Sequence, residues 1–421
     1  MRPRRHVWRA ARRGAGMVVM ATLLLHPDAP GGLRVRPQEF SVGPNPSAIV
    51  AADINGDGLP EIITADRGEL SDLREERPAN DELSLLIAKG DLKYEKHHPS
   101  LKTDFGPYAI AVANIDAHKW PDILVGNFHA ARHQDLSLFL NLHDDGIFQP
   151  VHFGVPEDAL AYHRQIDGDG IPIYHRPGLT SLAVGDIDGD GLRDVIATGW
   201  SSDVLVFFKG DAETHFKPPA LMPLAGGPFT VQLADFNHDR HLDVAITLMA
   251  SNEIAIWQGD GTGSFTEVER FSSRGRLPHK LVVADINQDG QPDLVVSHRH
   301  TDDTIVVFYG TGKFTFRVAQ EIMIGTDRDV LEHEIRDLAV ADFNGDGFPD
   351  IAAACYASEQ VVIFTTEFNR NNPFLEFSRE KFVFKGGQPR AICAGDLNND
   401  GKMDLAVALW GTNVVRLILN E

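Results

Sequence analysis

The chain has 421 residues, a hydrophobic fraction of 43% and a formal net charge of −21. An acidic balance of that size argues against nucleic acid as a partner, because phosphate binding needs a clustered excess of Lys and Arg. Cysteine is limited to Cys355 and Cys393, which excludes a disulfide framework; both lie in apolar runs and read as two separate buried thiols, with a single bridge between them left open.

The N-terminus stands apart. Arg2, Arg4, Arg5, Arg9, Arg12 and Arg13 precede an apolar stretch from Ala15 to Leu25. A basic stretch followed by a short apolar one is the pattern of an export signal, and it is too short for a comfortable membrane-spanning helix. Residues 1–29 are therefore expected to be removed, with Met17 or Met20 as alternative starts. The expected location is periplasmic, extracellular or cell-surface, with no stable transmembrane segment after processing.

The rest of the chain repeats. Seven nine-residue acidic loops recur at 53–61, 114–122, 186–194, 235–243, 285–293, 342–350 and 396–404, with starts 49 to 72 residues apart. Each follows a short apolar run, such as AIVAA or LAVG, and precedes another, such as IITA or VIAT. A third apolar run and a Phe-containing fourth segment complete each unit. Four short strands with turns between them predict one blade of a β-propeller. The last unit stops after its third strand, and Leu33 to Val42 (LRVRPQEFSV) precedes the first unit as an unpaired fourth strand. An N-terminal strand completing the last blade would close the ring and remove its exposed edges. The prediction is an all-β, seven-bladed propeller of four-stranded antiparallel blades over 33–421, expected as a monomer.

The strand, D-x-[DN]-x-D-G-x-x-D loop, strand pattern resembles the FG-GAP/VCBS repeats of integrin α-subunit heads, many exported bacterial proteins and some lectins. The resemblance covers essentially everything after Leu33. It implies a propeller, and some relatives on this propeller are lyases or dehydratases acting on sugars.

A hard Ca²⁺ takes roughly six to eight oxygen ligands. A nine-residue loop supplies them from side chains at positions 1, 3, 5 and 9 and the carbonyl at position 7, and glycine at position 6 permits the tight turn. In the third loop these are Asp186, Asp188, Asp190, Leu192 and Asp194. The fifth offers Asp285, Asn287, Asp289 and Asp293; the sixth Asp342, Asn344, Asp346 and Asp350; the seventh Asp396, Asn398, Asp400 and Asp404. The first uses Asp53, Asn55, Asp57 and a longer Glu61. These five are expected to hold structural calcium. The fourth loop keeps Asp235, Asn237, Asp239 and Asp243, but Arg240 stands at position 6, where positive φ would cost about 1 kcal/mol; its occupancy is left open. The second loop retains only Asp116 and Asp122 as anions, beside Asn114, His118 and Lys119, and is expected to hold no metal. The seven loops carry 21 carboxylates, whose mutual repulsion argues for cations; the alternative is a metal-free network of Asx turns. Asp167–Gly170 (DGDG) lacks a carboxylate at position 9 and reads as a turn within an insertion.

If the acidic loops lie on one face, the long insertions at 67–82, 156–178 and 325–335 fall on the other. The residue 14 places beyond each loop's first position forms a set of Arg67, Phe128, Trp200, Met249, Arg299, Tyr356 and Trp410. The residue six places before it forms another: Ser47, Tyr108, Thr180, Phe229, His279, Arg336 and Arg390. Aromatic faces suit sugar rings, and Arg offers a fork for carboxylate or sulfate. The expectation is a glycan or protein ligand at the face opposite the loops. The alternatives are that these side chains plug the channel, that the protein is a polysaccharide-active enzyme, or that it is a purely structural cell-surface module. His129, His133, His298, His300 and His333 lie near the same face and are expected to be solvated surface groups. No H-E-x-x-H, G-x-S-x-G, phosphate-loop or dinucleotide pattern occurs.

Overall fold

The computed structural model describes residues 32–68, 80–116, 118–130, 132–142, 147–156, 178–300, 304–317, 320–324, 333–367 and 375–421. The export-type segment, the DGDG tetrapeptide and the centres of the three long insertions lie outside the described residues.

Seven antiparallel sheets form seven blades. Their first strands are Pro46–Ala52, Pro107–Ala113, Ser181–Gly185, Pro228–Ala234, Arg276–Ala284, Ile335–Ala341 and Pro389–Gly395. Each touches the first strand of the blade before and after it, and blade 7 returns to blade 1, so the ring is closed. The fourth strand of blade 7 is Leu33–Ser41, paired with Val414–Asn420 through Leu33 opposite Asn420 and Ser41 opposite Val414. Closure leaves no open inner edge. The fourth strand of blade 1 is split into Tyr94–Lys96 and Leu101–Lys102. Among the described residues the helical element is one 3₁₀ turn, Trp200–Ser202, and no helix is long and apolar enough to cross a membrane.

The second strands explain how the blades stick together. Glu61–Asp66, Asp122–Asn127, Asp194–Gly199, Asp243–Leu248, Asp350–Cys355 and Asp404–Leu409 are buried at every residue. Strand side chains alternate between faces, so Ile62 packs toward blade 7 while Ile63 packs toward blade 2. A separate apolar cluster fills each gap between neighbouring blades. Position 2 of every loop helps seal these gaps: Ile54, Ile115, Ile187, Phe236, Ile286, Phe343 and Leu397 are all buried. Cys355 and Cys393 form no disulfide, the first being fully and the second partly buried, and burial pushes the Cys393 thiol up to about 12.

Candidate functional site

Every acidic loop joins a first strand to a second strand. Six of the seven bend the same way: positions 4 and 6 are left-handed at Gly56 and Gly58, Gly189 and Gly191, His238 and Arg240, Gln288 and Gly290, Gly345 and Gly347, and Asn399 and Gly401. Arg240 accepts the strained conformation at φ 73°. The second loop has no left-handed residue among those described. There Asp116 Oδ2 lies 2.6 Å from His118 Nδ1, and the Asn114 amide donates to the His118 carbonyl.

The position 9 carboxylate differs from the others. Glu61, Asp122, Asp194, Asp243, Asp293, Asp350 and Asp404 are fully buried. From Asp122 onward, one oxygen accepts the N–H of loop position 2 and the other accepts an N–H at the end of the third strand. In the sixth loop, for example, Phe343 donates at 2.8 Å and Thr366 at 2.7 Å. Burial pushes these carboxyls up, Glu61 and Asp293 to about 7 and Asp243, Asp350 and Asp404 to about 6. Position 9 is thus a pin between three strands, whatever else it does.

Positions 1, 3 and 5 are Asx-turn acceptors. Asp342 accepts from Gly345 and Gly347, Asn344 from Asp346, and Asp346 from Phe348. The same pattern recurs at Asp53, Asn55 and Asp57, at Asp235, Asn237 and Asp239, at Asp285, Asn287 and Asp289, and at Asp396, Asn398 and Asp400. Each oxygen keeps a second lone pair, so these loops present the oxygen-only donor set that a hard cation takes. In the third loop the carboxylates of Asp186, Asp188 and Asp194 converge within 4.8 Å. The Lys209 ammonium is bonded to Asp188 and lies 3.2 Å from Asp190, which neutralises part of that cluster.

The other end of the ring carries the two residue sets. Pro46 pairs with Asp66, Pro107 with Asn127, Pro228 with Leu248 and Pro389 with Leu409. The start of each first strand therefore lies beside the end of the second, opposite the acidic loop, and the two sets meet at one mouth of the channel. A repeated bulge aims the inner set. The register slips just after Pro46, Pro107, Pro228, Pro278, Ile335 and Pro389. Residues Ser47, Tyr108, Phe229, His279, Arg336 and Arg390 sit in these slips. Bulges leave a residue unpaired and re-aim its side chain. The bulge is held by a left-handed residue eight places before the loop: Asn45, Gly106, Gly227, Leu277, Glu334 or Gln388. Its carbonyl accepts the N–H of the outer-set residue in five blades, at Arg67, Phe128, Met249, Tyr356 and Trp410. Proline seven places before the loop in five of seven units was a readable signal of this bulge, since proline within sheets is confined to edges, first residues and bulges.

The inner set lines a cavity of about 180 Å³ on the channel axis, together with Thr230, Lys280 and Asp337. Ser47 and Thr180 serve the scaffold: their hydroxyls donate to the carbonyls of Pro107 and Phe229 in the next blade. Trp200, Phe229 and Met249 form an apolar cluster with Tyr108 and Phe128 against it. Trp200 is 8% and Phe229 7% exposed, so on that side the expectation of channel-filling side chains describes them better than a binding surface does. Arg67, Phe128, Arg299, Tyr356 and Trp410 are half-buried at the rim.

The histidine expectation is corrected for three residues. His129, His298 and His333 are buried, not solvated, because they stand where strand ends crowd together around the mouth. His133 is exposed, and the side chain of His300 lies outside the described residues.

Charge is the other feature of the mouth. Arg67, Arg299, Arg336 and Arg390 gather there. Glu334, two residues before Arg336 and within an insertion already singled out, accepts from Arg299 at 3.0 Å and from Arg336. Arg67 lies 3.3 Å from His129 Nε2 and over the rings of Tyr108 and Phe128. Arg390 donates to the Tyr108 hydroxyl at 2.7 Å. Burial raises the Tyr108 phenol, but the guanidiniums of Arg390, Arg67, Arg336 and Arg299 outweigh it and bring the phenol below its ordinary value. Burial, then Arg390 and Arg299, lowers the Arg336 guanidinium to about 9. Burial, then the same cationic surroundings, pushes His279 well below its usual range, so its ring is neutral. His279 packs on Phe229 with ring centroids 4.5 Å apart, and neither ring nitrogen has a hydrogen-bond partner.

Comparison with solved structures agrees with the architecture. A lectin of Agrocybe aegerita that recognises non-reducing terminal N-acetylglucosamine matches with a TM-score of 0.51 at 15% identity, over 88% of this chain and 86% of the lectin. A periplasmic gluconolactonase of Pseudomonas aeruginosa matches with a TM-score of 0.56 at 14% identity, over 90% and 89%. At such identities the likeness is one of fold. No curated protein matches the sequence. The model of the FG-GAP-like repeat matches at residues 186–246, 246–296, 285–353 and 342–407, more than half of the chain. With its acidic loops, seven blades and N-terminal closing strand, the chain belongs to the FG-GAP-like repeat family.

Proposed function

We propose that this is an exported, calcium-stabilised propeller that binds a glycan at the channel mouth opposite its acidic loops. The observation that carries this reading is the mouth itself. A repeated backbone bulge turns one side chain toward the axis in six of the seven blades, and backbone strain and bulges concentrate where function is built. Leu277 and Glu334 hold left-handed conformations at φ 53° and 54° to make it, at a cost of about 1 kcal/mol each. The half-buried rim carries the rings of Tyr356 and Trp410, apolar surfaces of the kind a sugar ring packs on, and one lectin of this fold recognises a terminal sugar. Calcium would be held by the oxygens of the first, third, fifth, sixth and seventh loops, where it would offset clustered carboxylates.

The test is a glycan and protein-ligand array probed with the full chain and with Trp410→Ala. Trp410 is the better probe than Trp200, whose burial makes its removal a packing defect. Binding that survives Trp410→Ala and a matching Tyr356→Ala variant refutes the mouth as the site. A second reading, an enzyme acting on acidic polysaccharides, is favoured by the Tyr108 hydroxyl in the cavity wall, which Arg390 bonds at 2.7 Å. The same screen, read for unsaturated product by ultraviolet absorbance, separates the two.

A further inference from the structure

We propose that the ligand is an acidic sugar whose carboxylate seats inside the channel against Arg390, a proposal that rests on the mouth-binding reading above. Arg390 is only 6% exposed. Its neighbours among the described residues supply a hydroxyl, Tyr108 Oη at 2.7 Å, and a ring face, but no carboxylate. Glu334 is already shared by Arg299 and Arg336. Asp337 faces the cavity but is bonded to Lys280 at 2.9 Å and to the N–H groups of Leu338 and Ile392. The cavity wall therefore holds a guanidinium with no counter-charge among the described residues, in a chain whose net charge is −21. A buried ion without a partner is costly, and an opposite charge brought to it relieves that cost.

The polar groups left over here are chiefly donors. Arg336 Nε has no acceptor. His279, 4% exposed and part of the cavity wall, has neither ring nitrogen bonded. A neutral imidazole donates from one nitrogen and accepts at the other, so it suits a carboxylate oxygen next to a sugar hydroxyl. The guanidinium fork matches a planar carboxylate in two parallel hydrogen bonds. At about 180 Å³ the cavity has the room of roughly six waters at ~30 Å³ each. That admits the acid-bearing edge of one sugar; the rest of the ring would extend beyond the cavity toward the rim, none of whose residues lines it. A peptide carboxylate would satisfy Arg390 but would leave that rim unused.

The experiment follows the melting midpoint of the full chain with sodium D-glucuronate, sodium D-galacturonate, D-glucose and sodium phosphate at fixed ionic strength. Ligand bound only by the folded state raises the midpoint in proportion to its affinity. The expected result is a rise with one or both uronates, none with glucose and a smaller one with phosphate. Arg390→Met should melt higher than the parent without ligand, since it removes an unpaired buried charge, and should bind uronate at least tenfold more weakly, which is about 1.4 kcal/mol. If Arg390→Met does not fold, Arg390→Lys keeps the charge and loses the fork, and the same weakening is expected. A phosphate response larger than either uronate assigns the pocket to a phosphorylated ligand and overturns the sugar acid, and a tighter response to a free acidic peptide does so in favour of a protein ligand. No response to any anion overturns the site. Neutral glycans captured on the array equally by the parent and by Arg390→Met overturn this proposal while the mouth-binding reading stands. Nothing captured on the array overturns both.

Discussion

Asp350 offers the sharpest test of what the acidic loops do, because its two roles make opposite predictions about calcium. If position 9 is first a strand pin, Asp350→Ala leaves the buried N–H groups of Phe343 and Thr366 without acceptors. Each orphaned donor costs about 1–3 kcal/mol, so the substitution should destabilise by about 2–6 kcal/mol with or without a chelator. Asp346→Ala, at position 5 of the same loop, is the control. Its side chain is exposed and accepts only from Phe348 and Asn344 within the loop, so without calcium its loss should cost about 1 kcal/mol or less. Urea unfolding of the parent and both variants, each in excess calcium and in excess chelator, reads the difference from midpoints at constant slope. Equal losses for the two variants, or an Asp350→Ala loss that disappears in chelator, would show that position 9 acts only through a metal and would refute the strand-pin reasoning.

Chelation of the parent should itself lower the melting midpoint, since a cation present at 100 times its dissociation constant adds about 2.7 kcal/mol per site; an unchanged midpoint sinks the calcium proposal. Burial raises the Asp66 carboxyl from 3.8 to about 6 despite hydrogen bonds from Ser84, Thr64 and Gly43. The folded state keeps a proton there that the unfolded chain releases first, so this group's stabilisation is full below about pH 3.8 and is lost as pH rises through about 6. Two pH units of such linkage amount to about 3 kcal/mol, and Asp66→Asn should remove that part of the pH slope; an identical slope in parent and variant contradicts it. Deleting residues 32–42 strips the partner from Val414–Asn420 and leaves an open edge, so self-association by size-exclusion chromatography is expected; a well-behaved monomer of parental stability would count against closure by this strand.

Much of the architecture was legible in the amino-acid order because it is set by short-range, periodic constraints. Acidic turns spaced 49 to 72 residues apart, each between two apolar runs, specify strand, turn and strand wherever they occur, and the absence of a fourth strand after Val414–Asn420 pointed to Leu33–Ser41 as its partner. Counting from the loops also placed Tyr108, His279, Arg336 and Arg390 in one ring, since equal offsets in equivalent blades land at equivalent depths. What the offsets could not decide was the environment at that depth. Trp200 and Trp410 occupy the same position in their blades, yet Trp200 packs against Phe229 and Met249 while Trp410 stays at the rim, because neighbouring blades present different partners. His129, His298 and His333 are buried for the same reason. Glu334 pairs two of the four arginines, whereas blade 7 has Gln388 at the equivalent position and Arg390 has no acid beside it among the described residues; that Glu334 also reaches Arg299 of the neighbouring blade was not readable from local sequence. Local pattern determined where each side chain stands along its blade; only the convergence of seven blades on one axis decided which of them meet and which charges are matched.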